Sequence, residues 1–205
     1  MSYSMPHFFK LLLLVFVFSS TFSSVAQKQF TVDSKASSVH WLGEKITESH
    51  EGFIALKEGA FTVDATNENL TQARFVMDMS SITCTDLKDK NYASKLIGHL
   101  ASTDFFDTKQ FPTATFTLTK PARIISDVVT LTGDLEIKGI TKPVSFILTR
   151  HGNNLKGRLE IDRTKYGIRY GSKSFFNDLG NKIIKDVFTI TFNLFVAFDK
   201  FDQGA

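Results

Sequence analysis

Large apolar residues alternate with smaller or polar residues along much of this chain. Between residues 188 and 198, every second position is large and apolar. Successive side chains of an extended strand point to opposite faces, so this stretch places a continuous apolar stripe on one face of a long strand. The same alternation recurs upstream and predicts eight strands, over residues 39–46, 52–63, 72–82, 113–119, 124–138, 142–150, 154–161 and 186–198.

Strands that are apolar on one side must close around an interior. The tight connection Lys138-Gly139 and the sequence HGNN at residues 151–154 predict turns between neighbouring strands. Residues 86–100 have apolar positions at helical spacing, with Thr85 or Asp86 as the cap. We predict an all-β fold, an eight-stranded antiparallel barrel with a helical crossover between strands four and five. A two-sheet sandwich, without a continuous lumen, is the alternative.

Three local features qualify this prediction. Gly133 interrupts the fifth strand and predicts a bulge or bend. In the second strand, the alternation does not decide whether Phe53 or Ile54 faces inward, and Gly59 is a candidate for a register shift. Residues 165–185 are glycine-containing and predict a mobile loop.

The first residues have the features of a secretory signal. Lys10 precedes an apolar run at residues 11–18, and Ser24-Val25-Ala26 offers small residues for cleavage after Ala26. An uncleaved N-terminal anchor is the alternative. The prediction is a signal peptide at residues 1–26, followed by one domain at residues 27–205. The signal predicts a periplasmic or secreted protein. Cys84 is the only cysteine and lies far from the cleavage point, so we do not expect a lipoprotein.

Composition indicates what the interior suits. The chain has 21 Phe but only four Tyr and one Trp, so an aromatic lining would be dry and poor in hydrogen bonds. Such a lining suits a hydrocarbon chain, although a barrel filled by its own side chains has the same composition. The formal net charge of +3 is close to neutral and argues against a nucleic-acid partner.

Few side chains suggest chemistry. His99 lies near Asp104 and Asp107, which could form an acid–base group, although both aspartates also suit a turn. No histidine pair has helical metal-site spacing, so we expect no metal. Arg163 and Arg169 follow a strand end and could hold a polar head group, or Arg163 could pair with Asp162 or Asp186.

Several sequence blocks together resemble the YceI-like family. They occur in family order and cover nearly all of the chain after the signal. The central blocks are HLASTDFFD at residues 99–107 and FPTATF at 111–116. FVMDMSSI at 75–82 precedes them, and LEIKGITKPV at 135–144 and IDRTKYGI at 161–168 follow.

The resemblance implies a lipocalin-like barrel with a long channel that binds a polyisoprenoid or similar lipid, such as a prenyl quinone. It implies no catalytic residues and no cofactor besides the bound isoprenoid. Transient membrane contact and a monomeric or homodimeric state are compatible with it. An enzyme using His99 with Asp104 or Asp107, and a filled-barrel stress-response protein, are the alternatives. The predicted lumen residues are Trp41, Phe75, Met77, Phe105, Phe106, Phe116, Leu135, Phe146, Phe188 and Phe192, and the predicted head-group contacts are Arg163 and Arg169.

Overall fold

The computed structural model describes residues 27–198, so the predicted signal peptide and its cleavage after Ala26 lie outside the described residues. One α-helix, α1 (Lys90–Ala101), and three short 3-10 turns, at Met79–Ser81, Arg163–Tyr166 and Gly180–Lys182, accompany the strands. The strands are β1 (Lys28–Glu44), β2 (Ser49–Val63), β3 (Asn69–Asp78), β4 (Thr113–Leu118), β5 (Ala122–Ile125), β6 (Val128–Ile137), β7 (Ile140–His151), β8 (Asn154–Asp162) and β9 (Val187–Val196).

The strands form a closed antiparallel barrel with eight positions. The hydrogen-bonded order runs β2-β1-β9-β8-β7-β6-β4-β3, and pairing of β2 with β3 closes the ring. The short β5 pairs with the same two neighbours as β4, so β4 and β5 share one position. The predicted barrel is confirmed, and the sandwich alternative is wrong. The helical crossover joins β3 and β4, however, rather than strands four and five.

Two strand boundaries differ from the prediction. The segment predicted as one strand over residues 124–138 is split between β5 and β6 by a tight turn at Ser126 and Asp127, whose φ values are 48° and 65°. Two successive residues with positive φ are the signature of a two-residue hairpin turn. The first strand begins at Lys28 rather than at residue 39, because an irregular stretch between Thr31 and Val39 interrupts its alternation.

A bulge in β2 resolves which of Phe53 and Ile54 faces inward. Leu56 pairs with Met77 and Glu58 pairs with Val76, so the intervening Lys57 is an extra residue in β2. A one-residue insertion moves every later side chain to the other face. Before the insertion, Ile54 and Leu56 are buried and Phe53 is 43% exposed on the outside; after it, the buried hydrophobic positions are Phe61 and Val63. The register shift lies at Lys57 and not at Gly59.

Gly133 allows close packing and does not form a bulge. Its register with Leu118 on β4 and Val144 on β7 is unbroken. A Cβ atom at this position would lie 2.3 Å from the carbonyl oxygen of Thr117 and 2.7 Å from Cζ of Phe116. The glycine thus lets the Phe116 ring lie across β6 inside the barrel.

The two ends of the barrel are packed differently. At one end, the rings of Phe30 and Phe61 stack with centroids 5.2 Å apart and Phe198 packs beside them. Leu131 and Val196, which lie above them, are fully buried. This end is filled by the protein's own side chains. The opposite end is covered by α1 and by the connection between β8 and β9.

The barrel wall has a seam between β7 and β8. These strands pair only where Ile147–His151 lie opposite Arg158–Asn154. Residues 140–146 of β7 and 159–162 of β8 do not pair with each other, although each pairs fully with its other neighbour. The 3-10 turn Arg163–Tyr166, which follows β8, packs against β7 beside this seam.

The helix begins later than the sequence indicates. Asp89, rather than Thr85 or Asp86, caps α1, because its Oδ1 accepts hydrogen bonds from the amides of Asn91 and Tyr92. Asp86 instead joins the chain before α1 to the start of β2. Its carboxylate lies 2.8 Å from His50 Nδ1 and accepts a 2.9 Å bond from the Glu51 amide.

We predict that replacing Gly133 by Ala destabilises the barrel, because the added methyl group collides with backbone and ring atoms. The expected loss in the free energy of unfolding is about 1–3 kcal/mol, measured by urea denaturation. Gly98→Ala is the matched control, since a Cβ atom at this exposed helical position meets nothing within 4 Å. That variant is expected to gain up to ~1 kcal/mol. An equal response of the two variants would contradict the packing role.

We also predict an acid-sensitive contribution from Asp86. Partial burial raises the pKa of this carboxyl, but hydrogen bonds from Glu51, His50 and Cys84 outweigh it and bring the pKa to about 2. Because the folded-state pKa lies below the ordinary value of 3.8, the stabilisation is present above pH 4 and is lost as the pH falls through 2. Asp86→Asn should remove roughly 1–2 kcal/mol of this acid dependence in pH-dependent urea unfolding. An unchanged pH profile would exclude the linkage.

Candidate functional site

An apolar chamber lies inside the barrel on the side of α1. Its volume is about 90 Å³, and every residue that lines it is apolar. The lining comes mainly from β3, β4, β6, β8 and β9, whose inward positions converge here. The lining residues are Val39, Ile54, Phe75, Met77, Met79, Phe106, Ala114, Phe116, Leu135, Ile137, Phe146, Leu159, Ile161, Phe188, Ile190, Phe192 and Leu194.

A second, outer chamber of about 250 Å³ lies between the barrel mouth and α1. Ile54, Phe106 and Phe188 line both chambers and form the boundary between them. The rings of Phe106 and Phe188 meet edge to face, with centroids 6.2 Å apart. The other lining residues are Trp41, Gly43, Glu44, Lys45, His50, Ile82, Leu96, His99, Leu100, Phe105, Arg163, Tyr170, Ile184 and Lys185.

All ten side chains predicted for the lumen line one of these chambers. Trp41 and Phe105 line the outer chamber, Phe106 and Phe188 line both, and the others line the inner one. The six residues that line only the inner chamber are Phe75, Met77, Phe116, Leu135, Phe146 and Phe192. That these ten residues contact a lipid remains a prediction.

A series of aromatic rings crosses the inner chamber. Phe75 stacks on Phe116 at 6.2 Å, Phe116 meets Phe146 edge to face at 5.0 Å, and Phe146 meets Phe192 at 5.3 Å. The Phe192 ring packs over Gly157, where a Cβ atom would lie 2.4 Å from the ring. The geometry of this wall therefore depends on Phe side chains from four different strands.

The barrel is filled at one end and loosely packed at the other. In the filled half, Leu131 and Leu148 are 0% and 1% exposed. In the half near α1, the inward-facing Phe188, Ile190 and Phe192 of β9 are only half-buried. Inward residues of a fully packed core would be excluded from solvent. The filled-barrel alternative therefore describes one half of this interior and not the other.

The prediction omitted several lining residues. Val39, Ile190 and Leu194 share the alternation of neighbouring predicted residues, so the strand pattern contains enough information to find them. The outer chamber also uses Leu96 from α1 and Ile184 from the loop before β9. No period in the sequence indicates that these two side chains meet.

Arg163 has a structural role that differs from the predicted head-group role. It is 3% exposed, and its guanidinium donates to the carbonyl oxygens of Ile168, Tyr170, Ile184 and Lys185 at 2.8–3.1 Å. The fifth N–H points at Asp186 Oδ1, 3.5 Å away. Burial lowers the pKa of this guanidinium, against the opposing effect of Asp186 and Asp162. Since an arginine has five donors, none remains for a ligand.

Arg169 does not line either chamber. It is exposed, and its guanidinium carbon lies 4.6 Å from the centre of the Phe175 ring. Its place on the loop between β8 and β9 keeps it at the outer surface. Its predicted contact with a head group remains a prediction that the chamber geometry does not support.

The acid–base group considered for an enzyme is not formed within residues 27–198. The His99 ring meets the rings of Phe105 and Tyr170, with centroids 5.0 and 4.5 Å away. Asp104 is exposed, and Asp107 has a φ of 48° in the turn after α1. No cluster of three or more potential metal ligands occurs in the described part of the chain.

Between residues 27 and 198, no helix has the length and apolar character needed to cross a bilayer.

Comparison with known proteins assigns this barrel to a protein family. The model of the YceI-like domain matches residues 30–196. The chain belongs to the YceI-like family. Protein YceI of Escherichia coli O157:H7 is 35% identical over 88 residues, which cover 43% of this chain and 42% of the relative. A UPF0312 protein of Yersinia enterocolitica is 32% identical over 139 residues, covering 67% of this chain and 61% of that relative. The matched region thus spans about two fifths to three fifths of these relatives' lengths.

Solved structures share the barrel. BcnA of Burkholderia cenocepacia is 27% identical, with a TM-score of 0.60 over 82% of this chain and 99% of that one. A polyisoprenoid-binding domain from Saccharophagus degradans, implicated in plant cell wall breakdown, is 16% identical. Its TM-score is 0.54 over 82% of this chain and 97% of that domain. The second likeness concerns the fold alone.

We predict that Arg163→Lys destabilises the loop between β8 and β9, because one ammonium cannot satisfy four carbonyl oxygens in these directions. The free energy of unfolding should fall by at least about 2 kcal/mol, and limited proteolysis should cut within residues 165–185. The control is Arg158→Lys, whose exposed ion pair with Glu160 is 2.9 Å long. That change should cost less than about 1 kcal/mol. Equal losses in both variants would contradict the loop-anchoring role.

Proposed function

We propose that this protein is a non-enzymatic carrier or store for a long-chain isoprenoid lipid. The observation that carries the proposal is the inner chamber, whose lining is apolar throughout and which adjoins a larger chamber at the barrel mouth. The polyisoprenoid-binding domain of the same fold supports this choice of ligand class. The isoprenoid would be the only bound group, without a metal or other cofactor.

The driving force is the transfer of hydrocarbon out of water. Each buried CH₂ group contributes ~0.8 kcal/mol, so a chain gains affinity with length and needs no specific bonds along the chamber. The branched methyl groups of an isoprenoid fit between phenylalanine rings such as Phe116, Phe146 and Phe192. A polar chain would leave its own groups without partners in the same space.

Entry of a long chain requires side chains to move. An engineered cavity of about 150 Å³ accepts benzene, and the inner chamber is smaller than that. Phe106 and Phe188 stand at the boundary with the outer chamber and are only half-buried. Rotation of these two rings joins the chambers, and the loosely packed β9 side chains give the chain further room.

The acid–base alternative has less support, because His99 faces aromatic rings and not a carboxylate.

A periplasmic or secreted location is indicated by the sequence of residues 1–26 and is part of the proposal. In such a compartment, a carrier would take its lipid from a membrane by transient contact, as a monomer or a homodimer.

The first test is to extract the purified protein with organic solvent and to analyse the extract by mass spectrometry. Protein made in cells that synthesise isoprenoids should release a prenyl lipid at a stoichiometry near one. Phe192→Asp should abolish this release, because an unpaired charge in the inner chamber is severely penalised.

Ile147→Asp is the matched control, since Ile147 lies on β7, two positions from β9 in the barrel, and is 54% exposed outside the barrel. It should retain the lipid. Circular dichroism separates loss of binding from loss of folding, and Phe192→Leu supplies a variant that keeps the chamber apolar. An empty wild-type protein that also fails to take up added prenyl lipid would refute the proposed function.

A further inference from the structure

The outer chamber contains a buried polar atom without a partner. Within residues 27–198, three buried side-chain atoms lack a hydrogen bond: His99 Nε2, Tyr166 Oη and Asn193 Oδ1. Of these three residues, His99 is the one that lines the outer chamber, and none of them lines the inner one. Buried polar groups are almost always hydrogen-bonded, so an unpaired one at a cavity wall marks a place for a ligand atom.

The surroundings of His99 are aromatic. It lies in the last turn of α1, and its ring is held edge to face between Phe105 and Tyr170. Both neighbours line the same chamber. These two contacts fix the imidazole plane, so Nε2 has a defined direction before any ligand arrives.

The charged side chains of the outer chamber already have partners. Lys45 Nζ lies 2.7 Å from Glu48, Lys185 Nζ lies 3.0 Å from Glu44, and His50 Nδ1 lies 2.8 Å from Asp86. Arg163 uses all five N–H groups within the protein, as described above. The carboxylates in these pairs offset the positive charges, so the outer chamber offers no surplus positive charge to an anionic head group.

We propose that His99 Nε2 binds the neutral, oxygen-bearing head of the lipid, a hydroxyl or a carbonyl, and that the outer chamber disfavours phosphate esters. This rests on the proposed function, which puts the hydrocarbon in the inner chamber. A neutral imidazole nitrogen donates or accepts according to its tautomer, so it can serve either oxygen. The class of ligand is an isoprenoid alcohol or quinone rather than an isoprenoid phosphate.

The test uses three probes that share one branched carbon skeleton: geranylgeraniol, geranylgeranyl phosphate and the saturated hydrocarbon phytane. Trp41, the single tryptophan, lines the outer chamber, so its fluorescence reports binding. The wild-type protein should bind the alcohol more tightly than either of the others. In His99→Phe, the affinity for the alcohol should fall roughly 2- to 12-fold, the range of one net hydrogen bond.

Three further readouts separate head-group binding from a merely structural role. Phytane affinity should be unchanged in His99→Phe, and His99→Gln should recover part of the preference for the alcohol. The lipid-free His99→Phe protein should melt at the same or a higher temperature, because the change removes an unsatisfied buried atom. His151→Gln, an exposed change in the β7–β8 turn, should behave as wild type in every assay.

Each outcome has a definite meaning. Tighter binding of the phosphate than of the alcohol, or an unaltered alcohol affinity in His99→Phe, would overturn the head-group proposal. In either case, binding of phytane and the alcohol would leave the carrier function standing. If none of the three probes binds, the proposed function itself fails.

Discussion

The closed ladder of backbone hydrogen bonds is the constraint on which this structure depends. Pairing of β2 with β3 removes the sheet edges there, so the wall holds its shape without a core in every layer. The rings of Phe30, Phe61 and Phe198 fill the end of the barrel that lies away from α1. The other half can therefore keep space at its centre, since its wall is fixed by hydrogen bonds, except at the seam between β7 and β8, and by the packed half of the barrel.

The mouth of the barrel is organised by a buried cation that binds only the protein. Arg163 joins the start of the β8–β9 loop to its end through four carbonyl oxygens and Asp186. A guanidinium with every donor satisfied is compatible with burial, whereas an unsatisfied one would be strongly destabilising. The arginine thus gives a glycine-containing loop a fixed course beside the chamber, and leaves recognition to other side chains.

The strand alternation was sufficient to predict the barrel and the side chains that face its interior, because the period of two is a direct consequence of extended backbone. The alternation does not predict an inserted residue such as Lys57, which shifts the inward positions by one. It also does not predict whether a polar side chain hydrogen-bonds to a local or to a distant partner. Asp86 looked like a helix cap, but it bonds to His50 and Glu51, which are far from it in sequence. The outer chamber combines α1 and loop residues whose meeting has no periodic signal. The position of Arg163 after a strand end suggests a special role, but its hydrogen-bond partners are main-chain carbonyl oxygens, which cannot be identified from a sequence.

The seam between β7 and β8 is a part of the wall that backbone hydrogen bonds do not hold. Over residues 140–146 and 159–162 no ladder hydrogen bonds cross it. The two strands are held together there by half-buried side chains such as Val144 and Leu159 and by packing of the 3-10 turn Arg163–Tyr166 against β7. Another interruption of the ladder lies in β1, where pairing with β2 stops after Thr31 and resumes at Val39. Pro143, which has no N–H, and the exposed Lys142 make the free edge at the seam a poor template for a strand of another molecule. This part of the wall therefore lacks ladder bonds without offering an exposed edge that favours aggregation.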